Sequence, residues 1–157
     1  VIAVVMGVSG AGKTTIGQAL AHELGWRFID ADDHHPSANV AKMAAGEPLD
    51  DDDRRPWLER LNSLLRSETH AVLACSALRE RYRQRLAEGI ERIEWVYLKG
   101  EPALIRSRLA DRRHRYMPAS LLDSQFAALE PPAAAITVDV SADVAACIAA
   151  IAARLKR

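Results

Sequence analysis

Eight residues near the start of the chain constrain its fold more than any others: Gly7-Val8-Ser9-Gly10-Ala11-Gly12-Lys13-Thr14. They satisfy G-x-x-x-x-G-K-[ST] at every fixed position. Their flanks fit as well. The β-branched, uncharged run Val1–Met6 reads as a buried strand, and Lys13–Leu24 has the apolar spacing of a helix closed by Gly25. A strand that turns through glycines into a helix points backbone N–H groups and the positive end of the helix dipole at an anion. Gly7, Gly10 and Gly12 let the backbone approach phosphate oxygens closely, and Val8, Ser9 and Ala11 complete the loop. Lys13 is placed to reach the β- and γ-phosphates, the Thr14 hydroxyl to ligate Mg²⁺, and Thr15 to touch the α-phosphate. A glycine-rich turn with no ligand has no use for the Lys-Thr pair.

The rest of the chain alternates short strands with helical patterns. Trp26–Asp30, Ala71–Ser76, Ile93–Leu98 and Ala135–Val140 read as strands two to five. Helices are expected over Ser37–Ala45, Pro56–Ser67, Ala77–Glu88, Glu101–Arg113, Ser120–Leu129 and Ala142–Leu155, with Pro56 in a first turn. That alternation predicts an α/β fold, a parallel sheet with helices on both faces and ligands at the strands' C-terminal edge. A length of 157 residues suits one domain, residues 1–157.

Composition removes several function classes. Lys plus Arg and Asp plus Glu are both 21, so the formal charge is zero and a dedicated nucleic-acid binder is disfavoured. No run is long and apolar enough for a membrane span, and Val1–Met6 has no positive n-region of a signal peptide. Cys75 and Cys147 are too few for a disulfide scaffold, which points to a reducing cytoplasm. Cys75 is expected to be a small buried residue, and Trp57 and Met43 to be core. The guanine-reading N-K-x-D motif of GTPases is absent. Strand three ends in Ala74-Cys75-Ser76, without the aspartate of large ATPases. A small-molecule kinase using ATP remains, with the Arg-rich stretch at about 112–122 as a lid that excludes water.

Strand two runs into Asp30-Ala31-Asp32-Asp33-His34-His35-Pro36 at the active edge. Alternation puts Asp30 and Asp32 on one face if the strand persists, and turns Asp33 away as a helix cap. One of the first two would hold Mg²⁺ through water, and the other would orient or deprotonate an acceptor hydroxyl.

From here the chain resembles the small phosphate-loop gluconokinases of the thermoresistant type, which are related to shikimate and nucleoside monophosphate kinases. The matching stretches are GVSGAGKTT, D-x-D-x-H-H-P, Gly46 to Leu58 with D-D-D-R-x-P-W-L, Cys75-Ser76-Ala77-Leu78-Arg79 with Tyr82-Arg83, Tyr97 to Gly100, and Ser124-Gln125-Phe126 before Leu129-Glu130-Pro131. The resemblance implies phosphorylation of D-gluconate to 6-phospho-D-gluconate by ATP, a sheet of order 2-3-1-4-5 and a homodimer. A polyol carrying one carboxylate needs cations and hydroxyl acceptors. Arg54 and Arg79 suit the carboxylate, and Asp32 and His35 the hydroxyls, with Asp32 orienting the attacking one. Arg83 shares a helix face with Arg79 and is either a further substrate contact or a surface charge, and His35 is either a contact or a turn cap. Asp30 joins Thr14 as the metal pair. By similarity to related kinases, Arg108 and Arg112 contact the transferring phosphoryl group and the adenine.

The chain departs from the family at His114 and Arg115, where glycine and histidine are usual, and at Ala31, where glycine is common. Two rival readings share the loop. One is a kinase for another acceptor, such as shikimate. The other is a nucleotide-binding regulatory module without turnover.

Overall fold

The computed structural model describes residues 1–110 and 119–155. The first strand, β1 (Ile2–Met6), lies at the centre of a five-stranded, wholly parallel sheet of order β2-β3-β1-β4-β5. Its partners are β3 (Ala71–Ala74) and β4 (Ile93–Lys99), with β2 (Arg27–Asp30) and β5 (Ile136–Asp139) at the edges. All five residues of β1 are buried, because a central parallel strand is covered on both faces. Side chains alternate between two cores. Ala3 and Val5 pack with Ile16 and Leu20 of α1 (Lys13–Leu24) and with Ile148 and Ile151 of the C-terminal helix. Ile2, Val4 and Met6 pack with Leu58, Leu61 and Leu65 of α3 (Asp51–Arg66) and with Leu86 of α4 (Glu80–Ala87). The remaining helices are α2 (Ser37–Ala44), α5 (Pro102–Ala110), α6 (Ala119–Ala128) and α7 (Val144–Leu155). The expected class and strand order are both found.

Three local differences from the sequence reading matter for the site. The strand carrying Asp30 stops there and becomes a 3-10 turn, Ala31–His34, with Asp30 capping it through a bond from the Asp32 N–H (3.0 Å). Strand alternation therefore does not place Asp32. Ala31 is fully buried in that turn and is not among the residues of positive φ, so a side chain costs nothing there. Helix α3 starts at Asp51, before Pro56, because Asp50 and Asp53 form a reciprocal capping box and the acidic first turn complements the helix dipole. Pro56 thus lies inside the helix. Finally, Ala119–Leu122 of the expected lid form the start of α6. Arg112, His114 and Arg115 lie outside the described residues.

Candidate active site

A cavity of about 360 Å³ opens at the C-terminal edge of β1, β2 and β3. One wall is the phosphate loop. Gly12 caps α1 in the left-handed region (φ 97°), and Gly10 has φ 86°. A Cβ at Gly10 would stand 2.8 Å from Leu109 Cγ, so the loop's tip tolerates neither the conformation nor the volume of another residue. Lys13 Nζ donates to the Val8 carbonyl at 3.1 Å, which folds the ammonium over the loop. Val8 and Ala11 are buried and, like Gly7, which lies against the Leu98 carbonyl, stand outside the cavity lining. Thr15 is exposed and outside the cavity lining. The Thr14 hydroxyl donates to Asp30 Oδ2 at 3.3 Å, so two hard oxygen donors from different elements meet at the loop's base.

The opposite wall carries Asp32, His35, Arg54 and Trp57. The indole N–H of Trp57 donates to the Ala31 carbonyl at 2.8 Å, pinning the 3-10 turn that presents Asp32. His35 stacks on the Trp57 ring (4.1 Å between centroids, 14° between planes). Asn39 Nδ2 donates to the Asp53 carbonyl at 2.8 Å, which orients its amide, and lies 3.2 Å from His35 Nδ1. Nδ1 then accepts, so the proton of neutral His35 sits on Nε2, 3.7 Å from Asp32 Oδ1. Arg54 Nη1 donates to the Leu49 carbonyl (2.6 Å) and to the Tyr82 hydroxyl (3.0 Å), with its guanidinium 4.9 Å from the Tyr82 ring centre. Tyr82 donates its own proton to Asp51 at 2.7 Å, and Arg81 bonds the same carboxylate. These two donors hold the Asp51 carboxyl below its usual range, while burial pushes the Tyr82 phenol up. Asp51 thus fixes Arg54 from behind through Tyr82, and in the same first turn of α3 Lys42 and the Asp50 N–H hold the Asp53 carboxyl down.

Arg79 lines an adjoining open recess of about 500 Å³ that shares Arg54 and Ser124 with the cavity. Arg83 does not reach either space. It is buried and donates to the Ala77 carbonyl (2.7 Å) and the Glu130 carbonyl (2.8 Å), with Nε 3.1 Å from Glu80. Neither a substrate contact nor a surface charge describes it. It braces the loop after β3, where Ala77 holds φ 44°, a left-handed conformation that costs a non-glycine residue energy. Arg108 points to the Val140 carbonyl at 2.6 Å and is outside the cavity lining. Met43 lines the cavity and is 38% exposed rather than core, whereas Trp57 is both core and wall. Cys75 is buried beside the site, and burial pushes its thiol up to about 12.

A shikimate kinase family model matches residues 9–128 of the chain. A probable gluconokinase of Xenopus tropicalis is 42% identical over 96% of this chain and 90% of its own length. A gluconokinase of Gluconobacter oxydans is 48% identical over 82% of this chain and 75% of its own length. The crystal structure of a gluconokinase from Sinorhizobium meliloti superposes with a TM-score of 0.87 at 39% identity, covering 98% of this chain and 94% of that one. This chain belongs to the gluconokinase family. It is accordingly a phosphotransferase on the phosphate-loop kinase fold. The regulatory-module reading loses its ground.

For a gluconokinase-family chain, sequence reasoning passes over one whole wall. Leu121, Ser124, Gln125 and Ala128 of α6 line the cavity. Gln125 bonds Ser9 twice: the Ser9 N–H donates to Oε1 at 2.7 Å, and Nε2 donates to the Ser9 hydroxyl at 3.1 Å. Ser124-Gln125-Phe126 is among the stretches that carry the family resemblance, and its polar pair within an apolar helix is the available signal.

Proposed function

We propose that the chain transfers the γ-phosphoryl group of ATP to the terminal hydroxyl of D-gluconate, giving ADP and 6-phospho-D-gluconate. The observation that carries this reading is the convergence of Lys13, Thr14 and Asp30 with Asp32, His35 and Arg54 on one cavity. The phosphate loop supplies the nucleotide side. Arg54, prealigned on Tyr82, and Arg79 in the adjoining recess supply cations for the sugar-acid carboxylate. Asp32 accepts the proton of the attacking hydroxyl in a hydrogen bond, and the His35 N–H faces the same carboxylate. The hydroxyl oxygen bonds to the γ-phosphorus as the bond to the bridging oxygen breaks, and ADP leaves with that electron pair. Lys13 offsets the charge on the phosphate oxygens. Thr14 and Asp30 suit Mg²⁺, which when bound neutralises charge on the β- and γ-phosphates.

The same proposal includes a single domain with a lid at about 112–122, with Arg112 on the phosphoryl group. Arg108 joins it only if it leaves the Val140 carbonyl. A homodimer and a cytoplasmic location belong to the proposal too; light scattering on the purified chain tests the first. No helix among the described residues is long and apolar enough to cross a membrane.

The deciding assay is coupled ADP release with Mg·ATP and D-gluconate, beside shikimate, D-glucose and no acceptor. Release with gluconate alone is the expected result. Release with shikimate or glucose in its place overturns the acceptor.

A further inference from the structure

Helix α6 meets the phosphate loop through Gln125, and does so with both ends of that one side chain. Gln125 Oε1 accepts from the Ser9 N–H, and Gln125 Nε2 donates to the Ser9 hydroxyl. Both groups of the amide are used on a single partner, so its orientation is fixed as well as its position. The two residues lie 116 positions apart in sequence, and both line the cavity.

The chain just beyond α6 is anchored as well. The Glu130 N–H donates to the Leu78 carbonyl at 2.7 Å, and the Glu130 carboxylate accepts from the Glu80 N–H at 3.1 Å. Buried Arg83 donates to the Glu130 carbonyl and to the Ala77 carbonyl. Gln125 stands five residues before Glu130, with the end of α6 at Ala128 between them. One short stretch, α6 and the two residues after it, therefore links the loop after β3, whose Ser76 and Leu78 line the cavity, to the tip of the phosphate loop.

Resting on the phosphotransfer reading above, we propose that Gln125 is a positioning residue for the transfer step. It sets the distance between the loop that holds the phosphates and the wall that holds the acceptor. The tip at Ser9-Gly10 is a glycine turn, with little backbone stiffness of its own. In-line transfer is sensitive to placement: a shift of about 1 Å can cost ~10²-fold in rate. Binding is less sensitive, because the N-terminus of α1, with its free N–H groups and dipole, attracts phosphate without help from the loop's tip. The signature is thus a fall in kcat with KM nearly kept.

The test uses Gln125→Leu, which keeps the bulk and removes both bonds, and Ser9→Ala, which removes only the hydroxyl arm. Amide hydrogen exchange of the segment around Ser9 reads the clasp without any turnover. We expect faster exchange there in Gln125→Leu. In the gluconate assay we expect kcat to fall at least ~10-fold with both KM values within about threefold. Ser9→Ala should cost roughly threefold alone, the size of one weak hydrogen bond, and nothing further when combined with Gln125→Leu. Gln125→Glu keeps an acceptor for the Ser9 N–H and for its rotatable hydroxyl, so it should restore slow exchange while raising KM for Mg·ATP through its charge. Unchanged exchange in Gln125→Leu refutes the clasp. Faster exchange with unchanged kcat refutes the role in transfer. A fall in kcat matched by a fall in melting temperature and by both KM values rising together makes the residue merely structural. If Gln125→Leu does not fold, Ser9→Ala decides alone: unchanged exchange around Ser9 together with unchanged kcat overturns the proposal. Should the unmodified protein not act on gluconate, the acceptor reading fails while the exchange experiment still judges the clasp.

Discussion

Replacing Arg83 by methionine separates a brace from a substrate contact. The guanidinium is 3% exposed and donates to two main-chain carbonyls, Ala77 at 2.7 Å and Glu130 at 2.8 Å. Methionine keeps the apolar stem and removes both donors. A hydrogen bond from a charged donor contributes about 1.5–3 kcal/mol, and an orphaned buried carbonyl costs on the same scale. The third partner, Glu80, is 58% exposed and returns to water, so it adds nothing. Two lost bonds give roughly 3–5 kcal/mol, the range of a broken buried polar pair. For a chain of this length each kcal/mol moves Tm by about 2–4 °C, so Tm should fall by roughly 10 °C. Arg83→Lys keeps one donor direction and should lose about half as much. Urea and thermal unfolding of the three proteins measure this directly. Unchanged stability in Arg83→Met, with KM for D-gluconate alone raised, would refute the reasoning and return Arg83 to the acceptor site.

Other expectations follow from the same geometry. Lys13→Ala and Asp32→Asn should each lower kcat by at least ~10²-fold in the coupled assay, and near-normal turnover in either removes its assigned role. The folded-state carboxyls of Asp51 and Asp53 are held below the ordinary aspartate range, the first by Tyr82 and Arg81 and the second by Lys42. Their contribution is therefore fully present above the ordinary range and is lost as pH falls through the lower folded values; urea midpoints should drop between about pH 5 and pH 2, and Asp51→Asn should flatten that limb. The Cys75 thiol, pushed up to about 12, should stay silent to a thiol reagent at neutral pH until the protein unfolds, and rapid native labelling at that residue would contradict its burial.

Local patterns in the sequence determined a good deal here. The phosphate loop, all five strands and the order of the helices are readable because each depends on neighbours in the chain: a β-branched run, a period of 3.6, glycines between a strand and a helix. Thr14, Asp30, Asp32, His35 and Arg54 were singled out from the motif and the family resemblance, and the structure brings all five to the walls of one cavity. What failed was orientation that depends on distant contacts. Asp32 faces the cavity from a 3-10 turn pinned by Trp57, which alternation along a strand does not foresee. The expected helix face shared by Arg79 and Arg83 does not form: Arg79 is the extended N-cap of α4 and lines the recess, whereas Arg83 lies inside the helix and is captured by two main-chain carbonyls. Helical spacing states which residues share a face, not which loop packs against it. Gln125 became part of the site only when α6 was laid across the phosphate loop, a pairing of residues 116 positions apart that no local rule encodes. Propensity and pattern act over a few residues, whereas hydrogen-bond partners of side chains are chosen by the packed sheet that brings remote segments to one edge.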